Sequence, residues 1–389
     1  MRYQLECSKL EFFRPDAFAF INKLKTQPSK YPMINLSIGA PNRPTPAWII
    51  EAMKTHLDNP AYHTYPPQHG APELCEAVAF WYGKRFGVEI DPKDNVLVTV
   101  GIKEAIFNAL HSLVNAGDVV MVPDPGYPTY FEAVLFTGGK LLTYNSDAES
   151  DRVLNEIEQK ARLHGPKIVI VNYPSNPTGR IVGLDFYKSL SEIASRYDFA
   201  VMSDLAYSEI AFDGLTVHSY LEARPGLELG FEYFAFSKTY NMAGWRVGAI
   251  VGDKRLVDAV KLYKSKIDSN VFYPIQQAAA TALIETPDSF YRELSGMYQQ
   301  RRDALVHGLS DIGLRFSPPQ GAMYTWVETP EGIDPWLFTE KLYKEYGILV
   351  VPGTAYGLNG GQRVRMGLVQ ETPLMEEAAR RLAEGGLMR

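Results

Sequence analysis

The sequence is poor in three features that mark particular classes of protein: cysteine, long apolar runs and excess positive charge. Its 389 residues include only two cysteines, Cys7 and Cys75, which argues against a disulfide scaffold and fits a reducing compartment such as the cytoplasm. No stretch approaches the roughly 18 consecutive apolar residues that a membrane-spanning helix needs. The N-terminus has no basic segment followed by an apolar run, so we expect no signal peptide. The net charge of −6 gives no electrostatic support for nucleic-acid binding.

Internal repeats and low-complexity segments are also missing, and what remains is an ordinary globular composition. Hydrophobic residues make up 46% of the chain and charged residues 22%. A chain of this length can bury the core of two domains, or of one large and one small domain.

Short apolar segments alternate with helix-like segments through the first two thirds of the chain. The apolar segments predict strands at residues 34–39, 95–100, 119–122, 140–144, 168–172, 199–203, 232–236 and 247–251. Helices are expected at residues 46–56, 73–86, 102–114, 129–136 and 184–197. Strands that are apolar throughout and alternate with helices favour an α/β fold, in which helices flank a mostly parallel sheet.

From about residue 288 the pattern changes. A long charged helix is expected at residues 290–309, and strands are expected at residues 323–327, 348–351 and 363–368. This order is typical of a smaller α+β domain. We therefore predict a large domain at residues 46–285 and a small domain made of residues 1–45 and 286–389.

A lysine, Lys238, stands between two predicted core strands and next to Ser237. A lone lysine is usually a solvated surface residue, because burying an unpaired charge is costly. A lysine at this position makes chemical sense if its amine is kept neutral by a covalent bond to an aldehyde cofactor. Arg246 would then bind a fixed anion, because a guanidinium holds phosphate oxygens two at a time.

The strands before this lysine end in residues that suit one ligand. In an open α/β sheet, ligands collect at the carboxyl ends of the strands. Gly101, Ile102 and Lys103 open a helix after one strand, and the free N–H groups of a helix start bind phosphate well. Tyr127 follows the next strand in a rigid proline-glycine turn, where its ring could lie against a flat heteroaromatic cofactor.

Two further strands lead to Asn176 and Asp204. Asn176 could donate its amide to a phenolate oxygen, and its bond to Pro177 is a candidate for the cis form. Asp204 would pair with a protonated pyridine nitrogen and so keep the ring an electron sink, and Tyr207 would reach the ring's hydroxyl side. Each residue alone is explained about as well by an ordinary turn or core position. Their combination on successive strand ends indicates one cofactor site.

Ten motifs spread over nearly the whole chain carry a family resemblance. They are IGAPNRPTP (38–46), YPPQHGAPEL (65–74), GIKEAI (101–106), PDPGYPTY (123–130), NYPSNPTG (172–179), SDLAYSE (203–209), SKTYNMAGWRVG (237–248), PQGAMY (319–324), VVPGTAYG (350–357) and RVRMGL (363–368). As a set they resemble the pyridoxal-phosphate-dependent aminotransferases of class I. The resemblance implies fold type I, pyridoxal 5'-phosphate as cofactor, and ping-pong transfer of an amino group between an L-amino acid and a 2-oxo acid.

The resemblance also implies roles for single residues. Lys238 would bind the cofactor aldehyde and act with Asp204 and Tyr207 in catalysis. The cofactor would be held by Ile102, Lys103, Tyr127, Asn176, Asp204, Tyr207, Ser237, Lys238 and Arg246, and by Tyr65 of a neighbouring subunit. The substrate would be held by Arg365, which grips its α-carboxylate, with Gly39 and Asn176 nearby. A shared site implies a homodimer; no metal, nucleic acid or membrane is implied.

Two positions depart from the family pattern. Ala235 stands three places before the lysine, where family members often have a hydroxyl residue, and Ile102 replaces a small hydroxyl residue. We expect these departures to weaken phosphate binding without abolishing function.

The substrate is less constrained than the reaction. The runs at residues 237–248 and 264–277 are most similar to the branch that contains LL-diaminopimelate aminotransferases and related aspartate or alanine enzymes. Aspartate enzymes of this family use an arginine from the neighbouring subunit for the side-chain carboxylate. The comparable stretch here, residues 266–270, has no arginine, so we do not expect dicarboxylate specificity by that route.

Two alternatives share this fold. A pyridoxal-phosphate-dependent lyase would act at Cβ or Cγ and would not need a keto acid. A non-catalytic cofactor-sensing domain would follow a DNA-binding module, but here the fold is expected to begin by about residue 30 and the charge is negative. The sequence therefore favours the aminotransferase.

Overall fold

The computed structural model describes residues 9–10, 16–385 and 387, and the statements below refer to these residues. The helices are α1 (Ala17–Leu24), α2 (Ala47–Leu57), α3 (Pro72–Phe86), α4 (Ile102–Leu113), α5 (Pro128–Thr137), α6 (Ser150–His164), α7 (Leu184–Tyr197), α8 (Phe236–Thr239), α9 (Lys254–Lys264), α10 (Tyr273–Glu285), α11 (Asp288–Asp311), α12 (Pro335–Tyr346) and α13 (Thr372–Glu384). The strands are β1 (Ile34–Asn35), β2 (Val96–Thr99), β3 (Val119–Asp124), β4 (Lys140–Asn145), β5 (Ile168–Asn172), β6 (Ala200–Asp204), β7 (Gly230–Ala235), β8 (Gly248–Gly252), β9 (Phe316–Ser317), β10 (Tyr324–Glu328), β11 (Ile348–Leu349), β12 (Val351–Pro352) and β13 (Arg363–Gly367).

Seven strands form the central sheet, in the order β2-β8-β7-β6-β5-β3-β4. The strands β4, β3, β5, β6 and β7 are paired in parallel, whereas β8 runs antiparallel to both of its neighbours. The predicted α/β fold with a mostly parallel sheet is therefore confirmed.

Both faces of this sheet are covered, which explains the unbroken apolar runs in the sequence. Successive residues of a strand point to opposite faces. In β5, Ile168 and Ile170 belong to one hydrophobic cluster, and Val169 and Val171 belong to another. All four are at most 1% exposed. In β5 the first polar side chain is Asn172, the last residue of the strand.

The C-terminal third of the chain builds a separate four-stranded antiparallel sheet, in the order β12-β13-β10-β9. The N-terminal strand β1 pairs in parallel with β11, which lies immediately before β12 in the chain. This pairing supports the assignment of the N-terminal residues to the smaller domain. The boundaries at residues 46–285, 1–45 and 286–389 stay a prediction.

Several element predictions need correction. The strand expected at residues 34–39 is limited to Ile34–Asn35, and the strand expected at residues 348–351 is split. The split arises because Ile348–Leu349 pairs with β1 whereas Val351–Pro352 pairs with β13. The helices that were not predicted are α6, α8, α9, α10, α12 and α13. No described helix combines the length and the apolarity needed to cross a membrane.

Candidate active site

A cavity of about 310 Å³ lies at the carboxyl ends of the parallel strands and also touches the smaller sheet. Every predicted site residue except Tyr65 lines it, and these residues are Gly39, Ile102, Lys103, Tyr127, Asn176, Asp204, Tyr207, Ser237, Lys238, Arg246 and Arg365. Residues from opposite ends of the sequence therefore meet in one place.

Asp204 is the last residue of β6 and is only 4% exposed. One carboxylate oxygen accepts a hydrogen bond of 2.6 Å from the Tyr130 hydroxyl, and the other accepts one of 3.0 Å from the Ala206 N–H. Burial raises the pKa of Asp204 to about 6, although both hydrogen bonds and the charge of Lys238 act against this rise. No described cation lies within ion-pair distance, so the carboxylate carries an uncompensated charge at neutral pH.

Lys238 follows β7 and lies on the one-turn helix α8. The residue is partly exposed toward the cavity, and its Nζ donates a hydrogen bond to the Gly39 carbonyl. Burial, with a smaller contribution from the positive charge of Arg365, lowers the pKa of Lys238 to about 8. An appreciable fraction of the amine is therefore neutral near physiological pH.

Arg365 lies on β13 and reaches the cavity from the smaller sheet, with 4% of its surface exposed. Its two terminal nitrogens donate hydrogen bonds of 3.0 Å to Asn176 Oδ1 and to the Ser37 carbonyl. Its Nε has no hydrogen-bond partner among the described residues. A buried guanidinium that contacts only neutral acceptors is ready to bind an anion.

A second potential anion site lies at the start of α4. Gly101 occupies the N-cap position with φ of 79°, and no side chain caps the first N–H groups of this helix. A Cβ at Gly101 would lie 2.8 Å from Cζ of Arg246, so only glycine leaves room for this guanidinium beside the helix start. Arg246 donates hydrogen bonds to the Val100 and Ala243 carbonyls and forms no ion pair with any described residue. Ser237 lines the same cavity.

Asn176 is held in place by its main chain. Its N–H donates a 2.8 Å hydrogen bond to Asn172 Oδ1, and Asn172 Nδ2 donates to the Asp204 carbonyl at 2.9 Å. The bond between Asn176 and Pro177 is cis, as expected for a candidate X–Pro bond. Asn172 thus ties the end of β5 to the end of β6.

Tyr207 and Tyr324 share a hydrogen bond of 2.8 Å between their hydroxyl groups. The Tyr324 ring also lies under the Arg365 guanidinium, whose Cζ is 4.1 Å from the ring centroid. Burial raises the pKa of Tyr207 well above its usual value, so this phenol stays protonated and can donate a hydrogen bond. Tyr207 thus connects the end of the central sheet, through Tyr324, to Arg365.

Tyr127 and Tyr65 have different surroundings. Tyr127 is partly buried beside the cavity, with its ring centroid 5.6 Å from that of Tyr130. Tyr65 is 85% exposed and does not line the cavity. Its predicted contribution to the site of a neighbouring subunit stays a prediction.

Three side chains at the cavity were assigned no role from the sequence: Tyr130, Asn172 and Tyr324. Each lies inside a motif that carried the family resemblance, so the motif itself was the available signal. Their partners are 74, 32 and 117 residues away in the chain, which is why local patterns could not identify the contacts.

The charges around the cavity suggest what it binds. The Asp204 carboxylate and the guanidinium groups of Arg365 and Arg246 are unpaired within the described residues. The Asp204 carboxylate and the Arg365 guanidinium are buried, so leaving them unpaired costs stability, and ligands of complementary charge are expected there. Arg246 is exposed, so its guanidinium can meet an anion without that cost. A ligand with a phosphate, a cationic ring nitrogen and an aldehyde, together with a carboxylate-bearing substrate, would satisfy all of them.

The sequence is similar to one protein family and to several of its characterised members. The family model "Aminotransferase class I and II" matches residues 31–382. The LL-diaminopimelate aminotransferase of Desulforudis audaxviator (strain MP104C) is 39% identical over 384 residues, covering 97% of both chains. The LL-diaminopimelate aminotransferase 2 of Nostoc sp. (strain PCC 7120 / SAG 25.82 / UTEX 2576) is 36% identical over 388 residues, covering 97% of this chain and 98% of that protein.

Solved structures show the same fold. An aminotransferase from Staphylococcus aureus superimposes with a TM-score of 0.87 at 30% identity, covering 98% of this chain and 100% of that one. A single mutant of Thermus thermophilus aspartate aminotransferase superimposes with a TM-score of 0.88 at 28% identity, covering 99% and 100%. The match extends over both sheets, and so over both sides of the cavity.

The lowered pKa of Lys238 predicts a stability effect in protein purified without cofactor. Below pH 8 the folded chain must hold a buried ammonium, and this cost is relieved as pH rises from about 8 toward 10.5. Lys238→Met should therefore stabilise the chain by about 1–3 kcal/mol at pH 7, and by less at pH 9.5. Urea unfolding at both pH values measures the difference, with the exposed Lys188→Met as control. An advantage that is absent at pH 7, or that grows with pH, would contradict this assignment.

Proposed function

Because the chain belongs to the class I and II aminotransferases, and is therefore an enzyme that transfers an amino group, we propose that its cavity binds pyridoxal 5'-phosphate. We further propose that the enzyme exchanges the amino group between an L-amino acid and a 2-oxo acid by ping-pong chemistry. The observation that carries the proposal is the arrangement of Lys238, Asp204 and Arg365 around one cavity. Neither the Asp204 carboxylate nor the Arg365 guanidinium has an ionic partner among the described residues.

The residues present fit this cofactor. The N–H groups of Ile102 and Lys103, with Ser237 and Arg246, would hold its phosphate, since an uncapped helix start and a guanidinium both favour anions. Asp204 would hold the ring nitrogen, Tyr127 would lie against the ring, and Asn176 and Tyr207 would bind the ring oxygen. Ala235 is buried at the cavity and offers no hydroxyl, so the phosphate has fewer side-chain donors than is usual in this family.

When bound, the cofactor supplies an electron sink for the charge that develops at the substrate Cα. The chain supplies the proton movements. Lys238 Nζ, with its pKa lowered to about 8, is about one-tenth neutral at pH 7 and can take a proton from Cα and return it to the cofactor side. Asp204, with its pKa at about 6, is mostly ionised at that pH, and Tyr130 and the Ala206 N–H fix the direction of its carboxylate.

Arg365 would orient the substrate by binding its α-carboxylate. The guanidinium is already fixed by Asn176, by the Ser37 carbonyl and by the Tyr324 ring, so little conformational entropy is lost when the carboxylate binds. The names of the relatives make LL-diaminopimelate the first amino donor to test, followed by aspartate and alanine.

We also propose a cytoplasmic homodimer. The 85% exposure of the Tyr65 ring is consistent with a residue that completes the site of a neighbouring subunit, and the two cysteines fit a reducing compartment. The lyase and cofactor-sensing alternatives are not favoured, because the relatives and structural neighbours named above are aminotransferases.

The direct test of the proposal is a half-reaction. Holoenzyme mixed with single amino acids should convert the aldehyde form of the cofactor to its amine form, and a 2-oxo acid should reverse the change. Lys238→Ala should lose at least about 100-fold in turnover, because the proton-transfer group is gone, whereas Lys188→Ala should behave like the wild type. Retained turnover in Lys238→Ala, or release of ammonia without a keto acid, would refute the proposal.

Gly101→Ala tests the proposed phosphate site. The added methyl group would displace the Arg246 guanidinium, so cofactor affinity should fall about tenfold or more. Gly117→Ala is the matched control, because Gly117 also has positive φ, at 91°, but no atom would contact its Cβ within 4 Å. Both variants share the cost of backbone strain, so only the difference in the dissociation constant of the cofactor reports on Arg246. Equal affinities would argue against this location of the phosphate.

Arg365→Gln tests the carboxylate anchor. Loss of a charge-assisted, two-pronged contact should raise the KM for the amino acid about 100-fold, while the cofactor still binds. Arg365→Lys keeps the charge but not the planar fork, so it should recover only part of the loss. Steady-state kinetics and absorbance of the bound cofactor separate the two effects. If KM were unchanged in both variants, another residue would have to hold the carboxylate.

A further inference from the structure

The segment at residues 38–44 carries the chain from β1 past the active-site cavity toward α2. Gly39 lines the cavity, and its carbonyl accepts hydrogen bonds from Lys238 Nζ and, at 3.4 Å, from the Tyr324 hydroxyl. A Cβ at Gly39 would lie 2.7 Å from that hydroxyl oxygen and 3.5 Å from both terminal nitrogens of Arg365. The Gly39 main chain therefore lies between the proposed proton-transfer group and the proposed substrate anchor.

Main-chain hydrogen bonds do not hold the middle of this segment. No main-chain N–H from residue 38 to residue 43 donates to a main-chain carbonyl of any described residue. The flanks are fixed, because the Leu36 carbonyl accepts a bond of 2.7 Å from the Gly367 N–H, and Thr45 Oγ1 donates one of 2.9 Å to the Asn241 carbonyl. The residues between these flanks depend on side-chain contacts for their position.

Asn42, three residues after Gly39, is held by a closed ring of hydrogen bonds. Arg301, on α11, donates from one terminal nitrogen to Asn42 Oδ1 at 3.0 Å and from the other to Glu371 Oε1 at 2.7 Å. Asn42 Nδ2 donates to the same Glu371 oxygen at 3.0 Å and so closes the ring. Arg301, Asn42 and Glu371 are called the Asn42 clamp below.

Arg301 is fully buried and fixes the clamp to the smaller sheet. It also donates a hydrogen bond of 3.4 Å to the carbonyl of Leu368, which directly follows β13. Although burial acts to raise the pKa of Glu371, the hydrogen bonds from Arg301 and Asn42 bring it below its ordinary value, so the carboxylate is ionised at neutral pH. A buried ion pair is weak evidence for a gain in stability. The more informative property of this pair is that it joins Asn42 to the end of the strand that carries Arg365.

We propose that the Asn42 clamp positions the Gly39 main chain and thereby sets the shape of the substrate site between Lys238 and Arg365. Its three members are positioning residues, because none of them lines the cavity. At most about 11 Å of chain separates Asn42 from Gly39, so a movement of Asn42 displaces Gly39 as well. This inference rests on the proposed function and adds residues that control the affinity of the substrate site.

Glu371→Ala and Asn42→Ala open the clamp from its exposed side. Both side chains are exposed, and the Glu371 side chain makes no capping bond to α13, so the core stays intact. Each variant should raise the KM of the holoenzyme about tenfold for the amino acid that reacts fastest in the half-reaction, and should change kcat by less than about threefold. A loss of folded protein would lower the apparent kcat and leave KM unchanged, so this split separates positioning from damage to the fold.

Equilibrium binding measures the same effect without turnover. The α-methyl analogue of that amino acid has no proton on Cα, so it can bind beside the cofactor but cannot react further. Absorbance of the bound cofactor reports its dissociation constant, which should rise about tenfold in Glu371→Ala and in Asn42→Ala. The dissociation constant of the cofactor itself should change by less than about threefold, because no member of the clamp lines the cavity.

Two further variants serve as controls. Glu371→Gln keeps an oxygen that can accept hydrogen bonds from Arg301 and Asn42, so it should recover most of the affinity that Glu371→Ala loses. Glu376→Ala removes the same charge from an exposed position on α13 and should behave like the wild type.

The outcomes separate this inference from the function on which it rests. If the wild type converts amino acids, but Glu371→Ala and Asn42→Ala leave both KM and the dissociation constant of the analogue unchanged, the clamp does not position the substrate site, while the aminotransferase proposal stands. If Glu376→Ala has the same effect as Glu371→Ala, net charge is the cause and the inference is wrong. If the wild-type holoenzyme converts no amino acid, the proposed function fails, and the role of the clamp in substrate binding fails with it.

Discussion

The site depends on two buried charges that the described protein leaves without ionic partners: the carboxylate of Asp204 and the guanidinium of Arg365. Each is only 4% exposed, and each is surrounded by neutral donors or acceptors that fix its direction. Burying a charge without an ionic partner lowers the stability of the folded protein, and replacing the charged residue with an apolar one would relieve that cost. Ligands of complementary charge would supply the missing partners.

The rest of the structure brings these two charges to one cavity. Asp204 ends a strand of the central sheet, whereas Arg365 belongs to the smaller antiparallel sheet. The two sheets are joined next to the cavity by Asp124, at the end of β3, which accepts hydrogen bonds from the N–H groups of Leu358 and Asn359. Gly126 adds an N–H bond of 2.8 Å to the Tyr356 carbonyl. These bonds fix the segment that leads into β13, the strand of Arg365, against the end of β3 in the central sheet.

The sequence predicted the strands and the residues at their ends, which depend on local patterns. It did not predict hydrogen bonds between residues that are far apart in the chain. Asp204 ends one predicted strand and Asn176 closely follows another, so both could be placed at one edge of the sheet before any coordinates were known. The bond from Tyr130 to Asp204 could not, because it depends on how α5 packs across the sheet. Helix α6 is different, because its pattern is local: Val153, Ile157 and Ala161 recur every four residues and are buried, which is the period of an amphipathic helix.

The charged residues around the cavity also set the protonation of Lys238. Burial lowers the pKa of Lys238 first, the positive charges of Arg365 and Arg246 lower it further, and only the Asp204 carboxylate raises it. A carboxylate bound at Arg365 or a phosphate bound at Arg246 would screen a positive charge, and so would raise the pKa of the amine. A cation bound at Asp204 would act in the opposite direction. A change of charge at Arg365, Arg246 or Asp204 is thus coupled, through electrostatics alone, to the protonation of Lys238.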